Sequence, residues 1–350
     1  MTTSVVMATY NGERFIIPQL ESIVSQTVLP TEIVISDDSS SDRTIEIIKK
    51  FIDDHVHLPI KFILVHNDSG EHGVVANYEN ALKHSSGDYL FFCDQDDIWF
   101  ENKIERILQL FEKTGARVVI HNAQIIKERE EDFFIPIDGY LMVPLRFDHD
   151  GLYWFPDDRF LYEAFYRCLI QGMCICAERA YIQSILPCSR GRDVHDAWIL
   201  FCALADRELV ASNEVLCYYR VHSGNTIGIA VFQQKRKLKK RIRSFAEDSK
   251  ADVINHYIWY KDTSTYRRVS QQERPDVWGS IHFFTETRIR ALQHHKIPGT
   301  ILLLKSYHSG AYNRVDSVCL KHDLFLLWMY SIRQRKELLT GIEKKLRRRP

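Results

Sequence analysis

Over the first 125 residues short apolar runs alternate with helical patterns, and this constrains the fold more than any other feature of the chain. "TSVVMATY", "TEIVISDD", "IKFILVHN", "YLFFCD" and "ARVVIHN" each read as a buried strand. Between them Ile16, Leu20, Ile23, Val24 and Thr27 recur at helical spacing. The same spacing recurs at Ile45, Ile48 and Phe51, and at Ile104, Ile107, Leu108 and Phe111. "GVVANYENALKHSSGD" predicts a helix that stops at Gly87, and "WFENKIERILQLFEKTG" one with Gly115 after its end. Near-continuous apolar strands separated by helices imply a parallel sheet covered on both faces. Ligands in such sheets bind beyond the carboxyl ends of the strands. Tyr10–Gly12, Asp37–Asp38, Asn67–Asp68 and Asp94–Asp97 fall at those ends and are expected to converge on one crevice.

The segment "CDQDD" crowds Asp94, Asp96 and Asp97 together directly after an apolar strand. Carboxylates this close resist joint ionisation unless water or a cation reaches them. Mg²⁺ or Mn²⁺ prefers hard oxygen ligands and bridges carboxylates to substrate phosphates. The turn "ATYNGERF" holds a single glycine, with no GxGxxG and no Walker loop, which argues against a dinucleotide or P-loop site. The plainer alternatives are a solvated acidic turn for "DQDD" and helix capping for Asp37, Asp38 or Asp196. Trp198 reads as core, and Asn77 and Tyr78 face either the crevice or the helix–sheet seam.

Taken in order, "VVMATYNGERFI", "EIVISDDSSSDRT", the strand-end "DQDD" and a later "HDAW" resemble the family 2 glycosyltransferases of the GT-A fold. The resemblance is strong over residues 3–125 and weaker over 165–227. It implies an α/β, Rossmann-like, mostly parallel sheet with helices on both faces. It also implies an inverting, metal-dependent hexosyltransferase. Ala8, Thr9 and Tyr10 would line the base pocket, and Asp38 would accept the imide N–H of uracil or thymine. Asp94 and Asp96 match the DxD signature, with Asp94 on the sugar nucleotide and both at the metal. Asp97 would stand behind them or cap the next helix. His222 would complete the metal site, and Asp196 would be the catalytic base. "HDAW" departs from the "ED" motif of many relatives.

"CDQDDIW" with "HDAW" is most similar to rhamnosyltransferase-type members that build bacterial surface polysaccharides. The resemblance therefore implies dTDP-L-rhamnose or a UDP-hexose as donor and an oligosaccharide or lipid-linked glycan as acceptor. A nucleotidyltransferase and a non-catalytic nucleotide-sugar-binding scaffold are the alternatives from other classes. The former would need a glycine- and lysine-rich phosphate loop, which the sequence lacks.

The expected domains are a catalytic domain over 1–230 and a basic, mainly helical region over 231–350. The first divides into a nucleotide-binding half (1–125) and an acceptor half (126–230). Residues 126–170 read as an irregular connection that covers the crevice. Lysine plus arginine equals aspartate plus glutamate at 46 each, so net charge names no partner. The basic residues instead cluster in "KRKLKKRIR" (235–243) and the terminal "KKLRRRP". With "LFLLWMY" (324–330) between them, the region suits an anionic membrane surface better than nucleic acid, for which no motif is present. No leader pattern and no eighteen-residue apolar run occurs, which predicts a cytoplasmic protein, peripheral at the inner face of the membrane. The eight cysteines form no CxxC pair and read as buried reduced thiols.

Overall fold

The computed structural model describes residues 1–128, 134–140, 148–156, 170–188, 194–222, 275–308 and 317–347, with a few single positions between them. The basic stretch 235–243 lies outside the described residues.

The chain divides into two units. The first comprises Met1–Pro156, Cys168–Cys188 and Asp193–Ile229, and is built on a 10-stranded sheet of order β3-β2-β1-β4-β9-β6-β10-β5. Strands β1 (Thr3–Thr9), β2 (Glu32–Asp37), β3 (Lys61–His66) and β4 (Tyr89–Cys93) pair in parallel. Helices α1 (Ile16–Val24), α2 (Thr44–Asp54) and α3 (Val74–Lys83) make the crossovers between them. Buried residues Ile16, Leu20 and Ile23 of α1, and Ile48 and Phe51 of α2, match the periodicity of the sequence. Each such side chain contributes about 1.5–3 kcal/mol on burial.

The parallel order of the first strands is interrupted at β9 (Ile175–Glu178), within the mostly parallel sheet expected. This strand inserts antiparallel between β4 and β6 (Val118–Glu128). β10 (Leu209–Val221) runs parallel to β6, so its carboxyl end lies at the same edge of the sheet as those of β1, β2 and β4. The sheet is therefore mostly parallel but mixed.

Three expectations need correction. Ile98–Trp99 is a short strand, β5, antiparallel to β10, and helix α4 starts only at Lys103 (Lys103–Thr114). Pairing of Trp99 with Cys217, and the Trp99 N–H donating to Ser22 Oγ at 3.0 Å, hold the backbone extended there. α3 ends at Lys83, four residues before Gly87. Residues 134–140, expected as irregular, form strand β7 (Phe134–Tyr140) antiparallel to β6. A second pairing, β8 (Leu152–Tyr153) with β10, also lies in that connection.

The remainder of the first unit carries α5 (Arg179–Ile185) and α6 (His195–Asp206). α6 is buried along nearly its whole length, Trp198 included, whose indole Nε1 donates to Ile185 O at 2.9 Å. The second unit, Asp157–Arg167, Ser189–Arg192 and Ala230–Pro350, contains α7 (Pro275–Gln293), α8 (Lys296–His308), α9 (Ser317–Met329) and α10 (Ile332–Arg347). Its core holds a bidentate ion pair between Arg288 and Asp323 at 2.7 and 2.9 Å. Within "LFLLWMY", Leu326 and Leu327 are buried while Trp328 and Met329 are exposed. No helix among the described residues is long and apolar enough to cross a membrane.

Candidate active site

The carboxyl ends of β1, β2, β4 and β10 carry the polar residues singled out in the sequence. At β1, Ala8 is half-buried and Thr9 buried, its hydroxyl donating to Asp37 Oδ2 at 2.8 Å. Asp37 also accepts from the Ser40 amide and hydroxyl, at 2.8 and 2.6 Å. It therefore fixes the turn after β2 and leaves the site to Asp38. Tyr10 is exposed, and only its backbone is held: the Gln95 amide pairs with Tyr10 N and O, both at 3.0 Å. A side chain at Gly12 would meet the amide end of Gln95, so the glycine leaves room for the Gln95 amide to sit against the first turn.

Asp38 is buried within three donors. Gly73 N donates to Oδ2 at 2.7 Å, while Asn67 Nδ2 and His72 Nδ1 reach Oδ1 at 2.8 and 2.9 Å. Burial pushes its carboxyl up, but the Gly73, His72 and Asn67 hydrogen bonds outweigh that and hold it below the usual range. Asp38 is thus an ionised acceptor at neutral pH.

At β4 the three carboxylates part company. Asp94 Oδ1 lies 2.8 Å from the Tyr78 hydroxyl, which is also 2.7 Å from Cys93 O. Burial and then the Asp96 charge push Asp94 up to about 7; the Tyr78 hydrogen bond opposes this and the nearby Asp196 carboxylate adds to it. Asp96 Oδ2 lies 2.8 Å from His222 Nε2. The His222 ring packs on Phe15, centroids 4.3 Å apart. Asp97 is fully buried and accepts from Arg220 N at 3.0 Å, tying the "DQDD" turn to β10. Burial and its two neighbours push its carboxyl well above normal. Asp97 caps no helix. Asp94, Asp96 and His222 could hold a divalent cation. Two carboxylates and an imidazole suit Mg²⁺ or Mn²⁺, and a cation would offset the repulsion that Asp94 now meets by taking up a proton.

Asp196 reaches this group from α6. The helix begins at His195 with Val194 at its cap position, so Asp196 lies inside the first turn. Its Oδ1 accepts from Ala197 N at 2.6 Å. His195, one residue earlier, is buried against Tyr78 (centroids 3.8 Å) and Phe92 (5.3 Å). Burial holds it neutral, down at about 3.

Sequence reasoning left three contributors out. Gln95 lies inside "DQDD" but carries no charge to draw attention. His195 and Arg220 each precede or follow a residue of interest, yet only the fold shows what they touch. Tyr78 resolves its two alternatives by meeting both: a ring in the seam, a hydroxyl on Asp94.

The family model for glycosyl transferase family 2 matches residues 4–188. Among curated proteins, an uncharacterized glycosyltransferase of Nostoc sp. is 24% identical over 80% of this chain and 87% of its own length. The Escherichia coli protein WfgD, a UDP-Glc:alpha-D-GlcNAc-diphosphoundecaprenol beta-1,3-glucosyltransferase, is 32% identical over 43% of this chain and 54% of its own. The dTDP-rhamnosyl transferase RfbG of Shigella flexneri is 36% identical over 29% and 35%. The chain thus spans only about half or less of these last two relatives. Among solved structures, S. aureus TarS 1-349 in complex with UDP superposes with a TM-score of 0.52 at 14% identity, covering 95% of this chain and 92% of TarS 1-349. The match to the family model, on a mixed GT-A sheet with acidic residues at its strand ends, assigns this chain to glycosyl transferase family 2 and makes it a glycosyltransferase.

Proposed function

We propose that this enzyme transfers a sugar from a nucleoside-diphosphate donor, dTDP-L-rhamnose or a UDP-hexose, to a hydroxyl of a glycan acceptor. The acceptor is lipid-linked, and the product enters a surface polysaccharide. The observation that carries the reading is the convergence of Asp38, Asp94, Asp96, His222 and Asp196 at one edge of the sheet. Supporting the donor class, TarS was solved with UDP and with UDP-GlcNAc. WfgD is named for UDP-Glc and a diphosphoundecaprenol acceptor, and RfbG for dTDP-rhamnose.

In this reading Ala8, Thr9 and Tyr10 line the base pocket. Asp38 accepts the imide N–H of uracil or thymine, which a purine cannot offer in the same place. Asp94, Asp96 and His222 hold Mg²⁺ or Mn²⁺. When bound, the cation supplies positive charge against the departing diphosphate. Tyr78 and Gln95 keep the "DQDD" turn in place. Asp196 takes the proton from the acceptor hydroxyl as its oxygen attacks the anomeric carbon, with inversion. Residues 1–230 form the catalytic domain and 231–350 the basic helical region. In the latter, Ile297, Ile301, Leu304, Trp328 and Met329 are exposed beside Lys296, and these residues contact an anionic membrane surface.

A donor-hydrolysis screen with Mn²⁺ tests the reading. Release of UDP or dTDP from one donor supports sugar transfer. Release of pyrophosphate would indicate nucleotidyl transfer instead, and no release from any donor would leave a binding scaffold. Flotation with anionic liposomes tests the membrane contact separately.

A further inference from the structure

Behind the sheet edge that carries the acidic residues, three buried side chains with soft or borderline donor atoms meet. His121 comes from β6, Cys174 from the turn before β9 and Cys217 from β10, and all three are fully buried. One donor atom from each lies within 4.8 Å of the others. The spacing in sequence gives no hint of this, because each residue comes from a different segment.

The imidazole is set up to ligate. His121 Nδ1 lies 2.8 Å from Asn122 O, an acceptor only, so Nδ1 carries the proton. Nε2 is buried with no hydrogen-bond partner among the described residues, although the Met173 carbonyl, which Lys103 engages, also acts on the ring. A buried acceptor without a partner costs about 1–3 kcal/mol. Metal-bound histidines show the same arrangement, one ring nitrogen fixed by a backbone carbonyl and the other on the metal.

The sulfurs fit the same purpose. Pairing between β10 and β6 shifts register between Val215 and Cys217, a bulge that re-aims the Cys217 side chain. The Cys174 and Cys217 thiols lie against one another as hydrogen-bond partners, which brings the two sulfurs together. Met173 Sδ, 4.0 Å from Cys174 Sγ, adds a further soft donor. Lys103 Nζ itself is engaged by Met173 O at 2.8 Å and by the Trp99 ring. It would repel a bare cation, but two thiolates and a divalent ion carry no net charge between them.

We propose that His121, Cys174 and Cys217 form a structural site for a thiophilic ion, Zn²⁺, which ties β6, β9 and β10 together. His121 Nε2 and the Cys174 and Cys217 sulfurs would be three of the four ligands, the fourth position falling to a water or to Met173 Sδ, and the two thiol protons would pass to solvent on loading. The site differs in kind from the oxygen-rich group at Asp94 and Asp96, which suits a hard ion.

The full chain, produced in zinc-containing medium and dialysed into Mg²⁺ buffer, should retain about one zinc per chain by elemental analysis. Produced with Co²⁺ instead, it should show a sulfur-to-cobalt charge-transfer band in the near ultraviolet, which oxygen ligands do not give. Asp96→Asn should keep zinc and band alike, whereas Cys174→Ser and Cys217→Ser should lose both. Wild-type protein without zinc and without the band overturns the proposal, and needs no variant to fold. A band that survives the double Cys174→Ser, Cys217→Ser change overturns it as well. Neither outcome bears on donor hydrolysis, so this site and the proposed reaction fail independently.

Discussion

The ring of His195 lies 3.8 Å from that of Tyr78, centroid to centroid, and this contact joins the two acidic poles of the site. The hydroxyl of Tyr78 meets Asp94, while His195 is the neighbour of Asp196 on α6. Movement of either helix therefore changes the separation of the two carboxylates.

Replacing Tyr78 with Phe removes that hydroxyl and keeps the ring. The fold should lose about 1 kcal/mol, the cost of one hydrogen bond. Mn²⁺ affinity should drop about tenfold, since an ionised Asp94 loses its donor. Thermal denaturation and calorimetry would measure the two effects. Unchanged Mn²⁺ binding would show that Tyr78 serves the fold alone.

Asp94 titrates at about 7, so below that pH a bound cation must displace a proton. Mn²⁺ affinity should rise about tenfold per pH unit up to about 7 and level off above it. Calorimetry in buffers of different ionisation enthalpy should detect proton release near neutrality. An affinity that does not vary over this range would contradict the assignment of Asp94 to the cation.

Asp96→Asn and Asp196→Asn should separate binding from turnover. The first removes a charged ligand, so nucleotide uptake in the presence of Mn²⁺ should be lost. The second removes a base and should leave donor binding within about threefold while turnover drops by roughly 10²–10⁴. Near-normal transfer by Asp196→Asn would assign the base elsewhere.

Gly172 lies against His195. A Cβ there would sit 2.7 Å from His195 Nε2 and 3.9 Å from the Cβ of Asp196. Gly172→Ala should therefore cost about 1–3 kcal/mol by overpacking and lower turnover more than donor affinity. Steady-state kinetics beside a melting curve would check this.

In the second unit, Arg288 and Asp323 are buried as a bidentate pair. Arg288→Met alone leaves a buried carboxylate and should cost about 3–5 kcal/mol, whereas adding Asp323→Leu should recover most of it. Chemical denaturation of the two variants is the test.

The alternation of strands and helices was legible because apolar periodicity acts locally. Ile48 and Phe51 face inward as their spacing requires, and β1, β2 and β4 end at the residues where their polarity changes. Strand order was not legible. β9 pairs with β4 and β6 through contacts across more than fifty residues, and "MCICAE" contains nothing that says antiparallel. The same limit applies at the site. Clustered charge marked Asp94 and Asp96, but the partner of each, Tyr78 and His222, depends on tertiary placement.

The placement of β9 also sets an order of assembly on the ribosome. Until residue 178 has emerged, β4 and β6 have no strand to join them, and each presents an open edge to solvent or to a chaperone. A protein truncated ahead of residue 175 would keep both edges exposed permanently, and one that stops after this four-residue strand would still leave open the side of β6 that β10 covers, so shortened versions meant to isolate the nucleotide half should aggregate unless they extend through β10.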